Sequence, residues 1–113
     1  MLGLLKTVNS GPALTSTSRS YLLSLMGRCA TGRNRMKALL PSFTRVEHKT
    51  GTLDGLTDDV GFITLPDGRR VAVAMFARGG NDRPQTIAQA ARSIYDGFLD
   101  SFNVRLPGIL AGR

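Results

Sequence analysis

Apolar positions change their period along this chain, from helical spacing to strict alternation and back. Met1, Leu2, Leu4, Leu5 and Val8 recur at helical spacing until Ser10-Gly11-Pro12 interrupts them, which predicts a short helix over 2–9. The hydroxyls of Thr15–Thr17 then stand ahead of an apolar stripe formed by Tyr21, Leu22, Leu25 and Met26. This predicts a second helix that ends near Gly27, is followed by Thr31-Gly32 and carries a basic third turn around Asn34–Leu39 before Pro41 stops it. From Phe43 the period shortens to two. Thr44 to Lys49 alternates as a half-buried strand does, with Val46 and His48 facing one way and Glu47 and Lys49 the other. A glycine-containing connection leads to a second strand over Val60–Leu65, a tight turn at Pro66-Asp67-Gly68-Arg69 and an antiparallel partner over Arg70–Phe76. Pro84 opens a long helix in which Ile87, Ala91, Ile94, Tyr95, Phe98 and Phe102 share a face suited to packing on the sheet. The predicted class is α+β, an antiparallel three-stranded meander with flanking helices. The glycine- and proline-bearing end from Pro107 to Arg113 is expected to fray, and 104–113 is expected to be a disordered tail.

At 113 residues with 42% hydrophobic and 20% charged positions, the chain is a single modest globular unit. Its net charge of +7 raises nucleic acid or an anionic surface as a partner. The twelve arginines are dispersed, however, and only Arg28, Arg33, Arg35 and Lys37 crowd together. No stacking platform or recognised binding module accompanies them, so no nucleic-acid partner is expected. Cys29 is the single cysteine, which precludes an intrachain disulfide; with His48 the only histidine, no metal site and no cofactor are expected. The apolar Met1–Leu5 run is broken by Lys6 and lacks a cleavage site, so neither a signal peptide nor a membrane span is expected.

The candidate chemistry lies in His48-Lys49-Thr50-Gly51-Thr52. This segment resembles the Lys-Thr-Gly strand of class A β-lactamases and penicillin-binding-type enzymes. Its surroundings extend the likeness. Thr31-Gly32, the basic turn and Leu40-Pro41 resemble the run into that strand, and Thr57-Asp58-Asp59-Val60-Gly61 resembles the start of the next. Leu65-Pro66-Asp67-Gly68-Arg69-Arg70 with Val71–Phe76 is similar to the family's last hairpin, Thr86–Phe98 to its closing helix and Met1–Val8 to an internal helix. The resemblance covers residues 1–103, and it implies the C-terminal portion of a β-lactamase/transpeptidase-like catalytic domain.

What the resemblance implies for the site is specific. Lys49 would supply an ammonium that attracts the substrate carboxylate and supports proton movement near a nucleophilic serine. Thr50 would donate its hydroxyl to that carboxylate, Gly51 would let substrate lie against the strand, and Thr52 would give its backbone N–H to the oxyanion hole. Arg83 is a candidate for an additional guanidinium near the carboxylate, since Asp58 stands where many members carry Asn and no arginine follows on that strand. His48 reads as a packing or hydrogen-bonded histidine, and Asp58-Asp59 as a turn and strand-capping pair.

Two of the family's three motifs are missing. The residues three places before Lys6, Lys37 and Lys49 are Gly3, Asn34 and Val46, so the chain has no Ser-x-x-Lys. It has no Ser-Asp-Asn either, and the sole glutamate, Glu47, shares a strand with Lys49 and cannot be the family's water-activating glutamate. The expectation is therefore a piece of a serine hydrolase, inactive alone, arising from a pseudogene or from a reading frame begun at an internal methionine. The alternatives are a non-catalytic binding domain and a remnant of a penicillin-binding-type peptidoglycan enzyme. The intact parent would take a β-lactam or peptidoglycan-like substrate and act in the periplasm or outside the cell; the chain's own location is left open. An unpaired sheet edge would favour self-association.

Overall fold

The computed structural model describes residues 1–105. Six elements follow one another: α1 (Leu2–Ser10), α2 (Ser16–Gly27), β1 (Val46–Leu53), β2 (Leu56–Thr64), β3 (Arg70–Arg78) and α3 (Arg83–Arg105). The three strands form one antiparallel sheet in the order β1-β2-β3, so the predicted meander and the α+β class are both present.

Local chemistry sets the boundaries. At the head of α2, the Thr15 hydroxyl accepts from the Ser18 N–H at 3.1 Å, which satisfies one of the helix's otherwise orphaned donors. The helix stops at Gly27. The Asn34–Leu39 segment is not its third turn but a separate run of turns, closed by N–H donation from Arg35 to the Gly32 carbonyl and from Ala38 to the Arg35 carbonyl. Helical spacing there reflects tight i to i+3 bonding instead of a continuous helix. The predicted connection over 50–59 is also mostly strand. β1 runs on to Leu53 and β2 begins at Leu56, joined by Asp54-Gly55, where Gly55 adopts the positive φ of 71° that a two-residue turn requires. Polar residues fill this hairpin because its far end is exposed, and an apolar pattern cannot reveal strands that have no apolar face to bury.

The principal core lies on one face of the sheet. Val46, Ile63, Leu65 and Val73 pack against Ile87, Ala91 and Tyr95 of α3, with Met36 and Leu40 completing the cluster. Phe98 is exposed and contributes little to the α3 face predicted to hold it; the Phe102 side chain and residues 106–113 lie outside the described region. α1 and α2 approach β3 and β1 respectively. Of the predicted α2 stripe, Leu22 and Met26 are half-buried while Tyr21 and Leu25 are exposed. Glu47 is buried, which its strand alternation did not predict. It survives there because Arg70 donates to one carboxylate oxygen at 2.6 Å and Arg45 to the other at 3.2 Å. Arg70 also donates to the Asn9 side chain at 2.5 Å, tying α1 to the sheet, and lies over the Phe62 ring.

Candidate active site

Lys49, Thr50, Gly51 and Thr52 occupy consecutive positions of β1, an outer strand of the sheet, opposite Val60, Asp59, Asp58 and Thr57 of β2. The strand brings all four predicted residues together, with Lys49 and Thr52 exposed and Thr50 and Gly51 half-buried. The Lys49 ammonium donates to the Thr50 carbonyl at 2.8 Å. Thr50 shares a hydroxyl hydrogen bond of 2.5 Å with Thr31, so its Oγ1 is already held in place by the segment that precedes the turns. A side chain at position 51 would run into the Asp58 carboxylate, and one at position 32 into the Thr50 methyl group. Glycine at these two positions lets the Thr31-Gly32 segment and β2 close tightly on β1.

The residue that sequence reasoning missed is Arg35. Its guanidinium donates to the Gly51 carbonyl at 3.0 Å, the Asp58 carbonyl at 2.8 Å and the Thr52 hydroxyl at 2.6 Å. One side chain thus fastens β1 to β2 and places a permanent positive charge at Thr52. The crowding of Arg28, Arg33, Arg35 and Lys37 was visible in the sequence, but only the turn geometry distinguishes the inward cation from its neighbours. Arg83, the predicted extra guanidinium, donates to the Thr57 hydroxyl at 2.9 Å. Thr57 pairs with Thr52, so Arg83 stands one strand farther from the motif than Arg35.

Beneath the motif, His48 and Asp59 form a buried pair, 1% and 0% exposed. His48 Nδ1 lies 2.8 Å from one carboxylate oxygen of Asp59, and the other oxygen accepts from the Met36 N–H at 3.2 Å. This bears out His48 as a hydrogen-bonded histidine. It corrects the reading of Asp58-Asp59 as a turn and capping element: both lie within β2, and Asp59 is an internal clamp between the strand and the turn that carries Arg35. Cys29 lies alongside, within hydrogen-bonding reach of Thr31. Burial pushes its thiol up, but bonds to Thr31, the Thr50 backbone and the charge of Lys49 together hold it below its ordinary value. Among the described residues, no group of three or more His, Cys, Asp or Glu is placed to hold a metal ion.

An antiparallel sheet, backed by a closing helix, thus carries a basic Lys-Thr-Gly segment on one of its outer strands. Residues 1–98 match the model of the beta-lactamase enzyme family, and the chain belongs to that family. Within it, the likeness is to class A. The extended-spectrum beta-lactamase PER-1 of Pseudomonas aeruginosa is 36% identical over 92% of this chain and 37% of its own length. A beta-lactamase structure from Chitinophaga pinensis is 38% identical with a TM-score of 0.78, covering 85% of this chain and 39% of the other. An ancestral class A beta-lactamase structure gives a TM-score of 0.81 at 30% identity, over 86% and 39% respectively. The chain therefore spans less than two fifths of the length of these relatives.

Proposed function

We propose that this chain supplies one wall of a β-lactam-hydrolysing site and does not turn over substrate by itself. The observation that carries the reading is the convergence on β1 of the Lys49 ammonium, the oriented Thr50 hydroxyl and the Arg35 guanidinium at Thr52. These groups suit the carboxylate of a β-lactam. Two cations and a hydroxyl would hold it through charge-assisted bonds, each contributing about 1.5–3 kcal/mol net. Arg35 takes the role that the sequence reading offered to Arg83, because it touches Thr52 itself.

Held in this way, the lactam carbonyl would lie along β1 towards Thr52, whose backbone N–H would stabilise the oxyanion formed when a serine attacks. The attacking serine would open the ring to an ester, and water would then release the acid. Neither the serine of a Ser-x-x-Lys motif nor a Ser-Asp-Asn loop is in this chain. A lone oxyanion donor cannot compensate, since losing even one of two donors costs on the order of 10²–10³ in rate.

The test is a titration of the chain with a penicillin, followed by backbone amide shifts, together with a hydrolysis assay. Saturable shifts confined to Thr50, Gly51, Thr52 and the neighbours of Arg35, with no hydrolysis, are expected. Hydrolysis that persists in Lys49→Ala, or shifts that avoid β1 altogether, would refute the proposal.

A further inference from the structure

A second feature lies beside the turns that carry Arg35. Gly27, Arg28, Cys29, Arg33, Lys37 and Ser42 line a depression of about 560 Å³ between the end of α2 and the turns. Three of these residues are cations, and no carboxylate lines the depression with them. Among the described residues, none of the three side chains makes a hydrogen bond or ion pair, whereas Arg45, Arg70 and Arg92 are all bonded to carboxylates. Like charges gathered around one concavity repel each other, and the arrangement gains energy only when an anion enters.

We propose that this depression is a binding site for a small, soluble, multivalent oxyanion of the phosphate-ester or diphosphate type. Two guanidiniums present planar forks that match such oxygens, Lys37 adds a point charge, and Ser42 offers a hydroxyl donor. A concave site of this size suits a compact soluble anion better than an extended surface. The ligand would bridge Arg28 at the end of α2 and Arg33 and Lys37 on the turns. The proposal goes beyond the β-lactam reading and does not depend on it.

Cys29 makes the site measurable, because it is the chain's only thiol and stands in the wall of the depression. The full chain is treated with the dianionic disulfide dithiobis(nitrobenzoate) and, separately, with neutral dithiodipyridine. In each case the Cys29 thiolate attacks one sulfur, a mixed disulfide forms and the other half leaves as a thiolate. Each rate is divided by that of a small free thiol with the same reagent. The expected preference for the anionic reagent is about tenfold, and inorganic pyrophosphate at constant ionic strength slows both reagents saturably. Because the +7 net charge attracts any anion, the deciding comparison removes two charges locally or elsewhere. Arg33→Ala with Lys37→Ala should abolish the preference and the pyrophosphate protection. Lys6→Ala with Arg78→Ala, which removes two exposed charges outside the depression, should leave most of both. Equal loss in the two double variants would overturn the proposal, as would protection by anionic phospholipid vesicles but not by pyrophosphate. Neutral and anionic reagents that react alike with the unaltered chain would overturn it too.

Discussion

Arg35 fastens the hairpin and, in the proposed site, would also bind substrate. Its bonds to the Gly51 and Asp58 carbonyls fix the hairpin, while its bond to Thr52 leaves a positive charge where a substrate carboxylate would lie. Arg35→Lys keeps the charge but cannot make three bonds from one planar fork. It should weaken penicillin binding about 10- to 100-fold, the equivalent of about 1.5–3 kcal/mol for a charge-assisted bond. Titration followed by Thr52 amide shifts would read this, and binding equal to that of the unaltered chain would show that Arg35 is only a fastener. At Asp67 the residue scale yields a pH dependence. The Arg69 backbone N–H, first among its partners, and the Arg69 side chain hold the Asp67 carboxyl below its ordinary value, against a smaller opposing effect of burial. A carboxyl lowered in the folded state stabilises above its unfolded value, near pH 3.9, and that contribution is lost as pH falls through the folded value. The difference in melting temperature between the chain and its Asp67→Asn variant should therefore be steady above about pH 5 and shrink below about pH 4. A difference that instead grew on acidification would contradict the assignment.

Among the elements, those with an apolar side were legible and those without one were not. α1, α2 and α3 show themselves through helical spacing, the start of β1 through alternation, and Val60–Leu65 and Arg70–Phe76 as apolar runs on either side of a tight turn. Periodicity does not reveal the Thr50–Asp59 hairpin, because its residues are polar and its far end is exposed; only the resemblance to the Lys-Thr-Gly strand and the start of its neighbour points to it. The turns over Asn34–Leu39 were mistaken for helix because i to i+3 bonding places Met36 and Leu40 on the same inner side. For the site, Lys49 to Thr52 could be read as a motif, whereas Arg35 reaches them across sixteen positions of chain and has no local signature. Glu47 and Asp59 were hidden for a similar reason: a buried carboxylate looks like a surface one until its partner from another element is in view. Gly61 tests how tightly the motif strand is packed. A side chain there would overlap the Glu47 carbonyl and stand 2.6 Å from the His48 Cα, both backbone atoms that cannot swing aside. Gly61→Ala should cost about 1–3 kcal/mol in thermal or denaturant unfolding, and a change below about 0.5 kcal/mol would show that the β1–β2 pair yields more easily than its geometry implies.

As a whole molecule, the chain carries its principal core on one side of a three-stranded sheet whose outer strands are β1 and β3. Leu2, Leu4, Tyr21, Leu25, Phe43 and Phe76 are exposed. A strand edge flanked by exposed apolar side chains is a surface prone to pairing. We expect sedimentation velocity to show association that increases with concentration and is reduced by Phe76→Lys on β3; a monomer at every concentration would dispose of this expectation. The wall formed by Lys49, Thr50, Thr52 and Arg35 can be tested within the whole enzyme architecture of a relative. Residues 1–98 would replace the matching segment of the Pseudomonas aeruginosa PER-1 enzyme, and kcat/KM for a chromogenic cephalosporin would be measured with the chimaera and its Lys49→Ala variant. The expected result is hydrolysis by the chimaera and a loss of at least about 100-fold in the variant, comparable to removing a transition-state contact. A chimaera that melts cooperatively yet hydrolyses nothing, or one indifferent to the loss of Lys49, would contradict it.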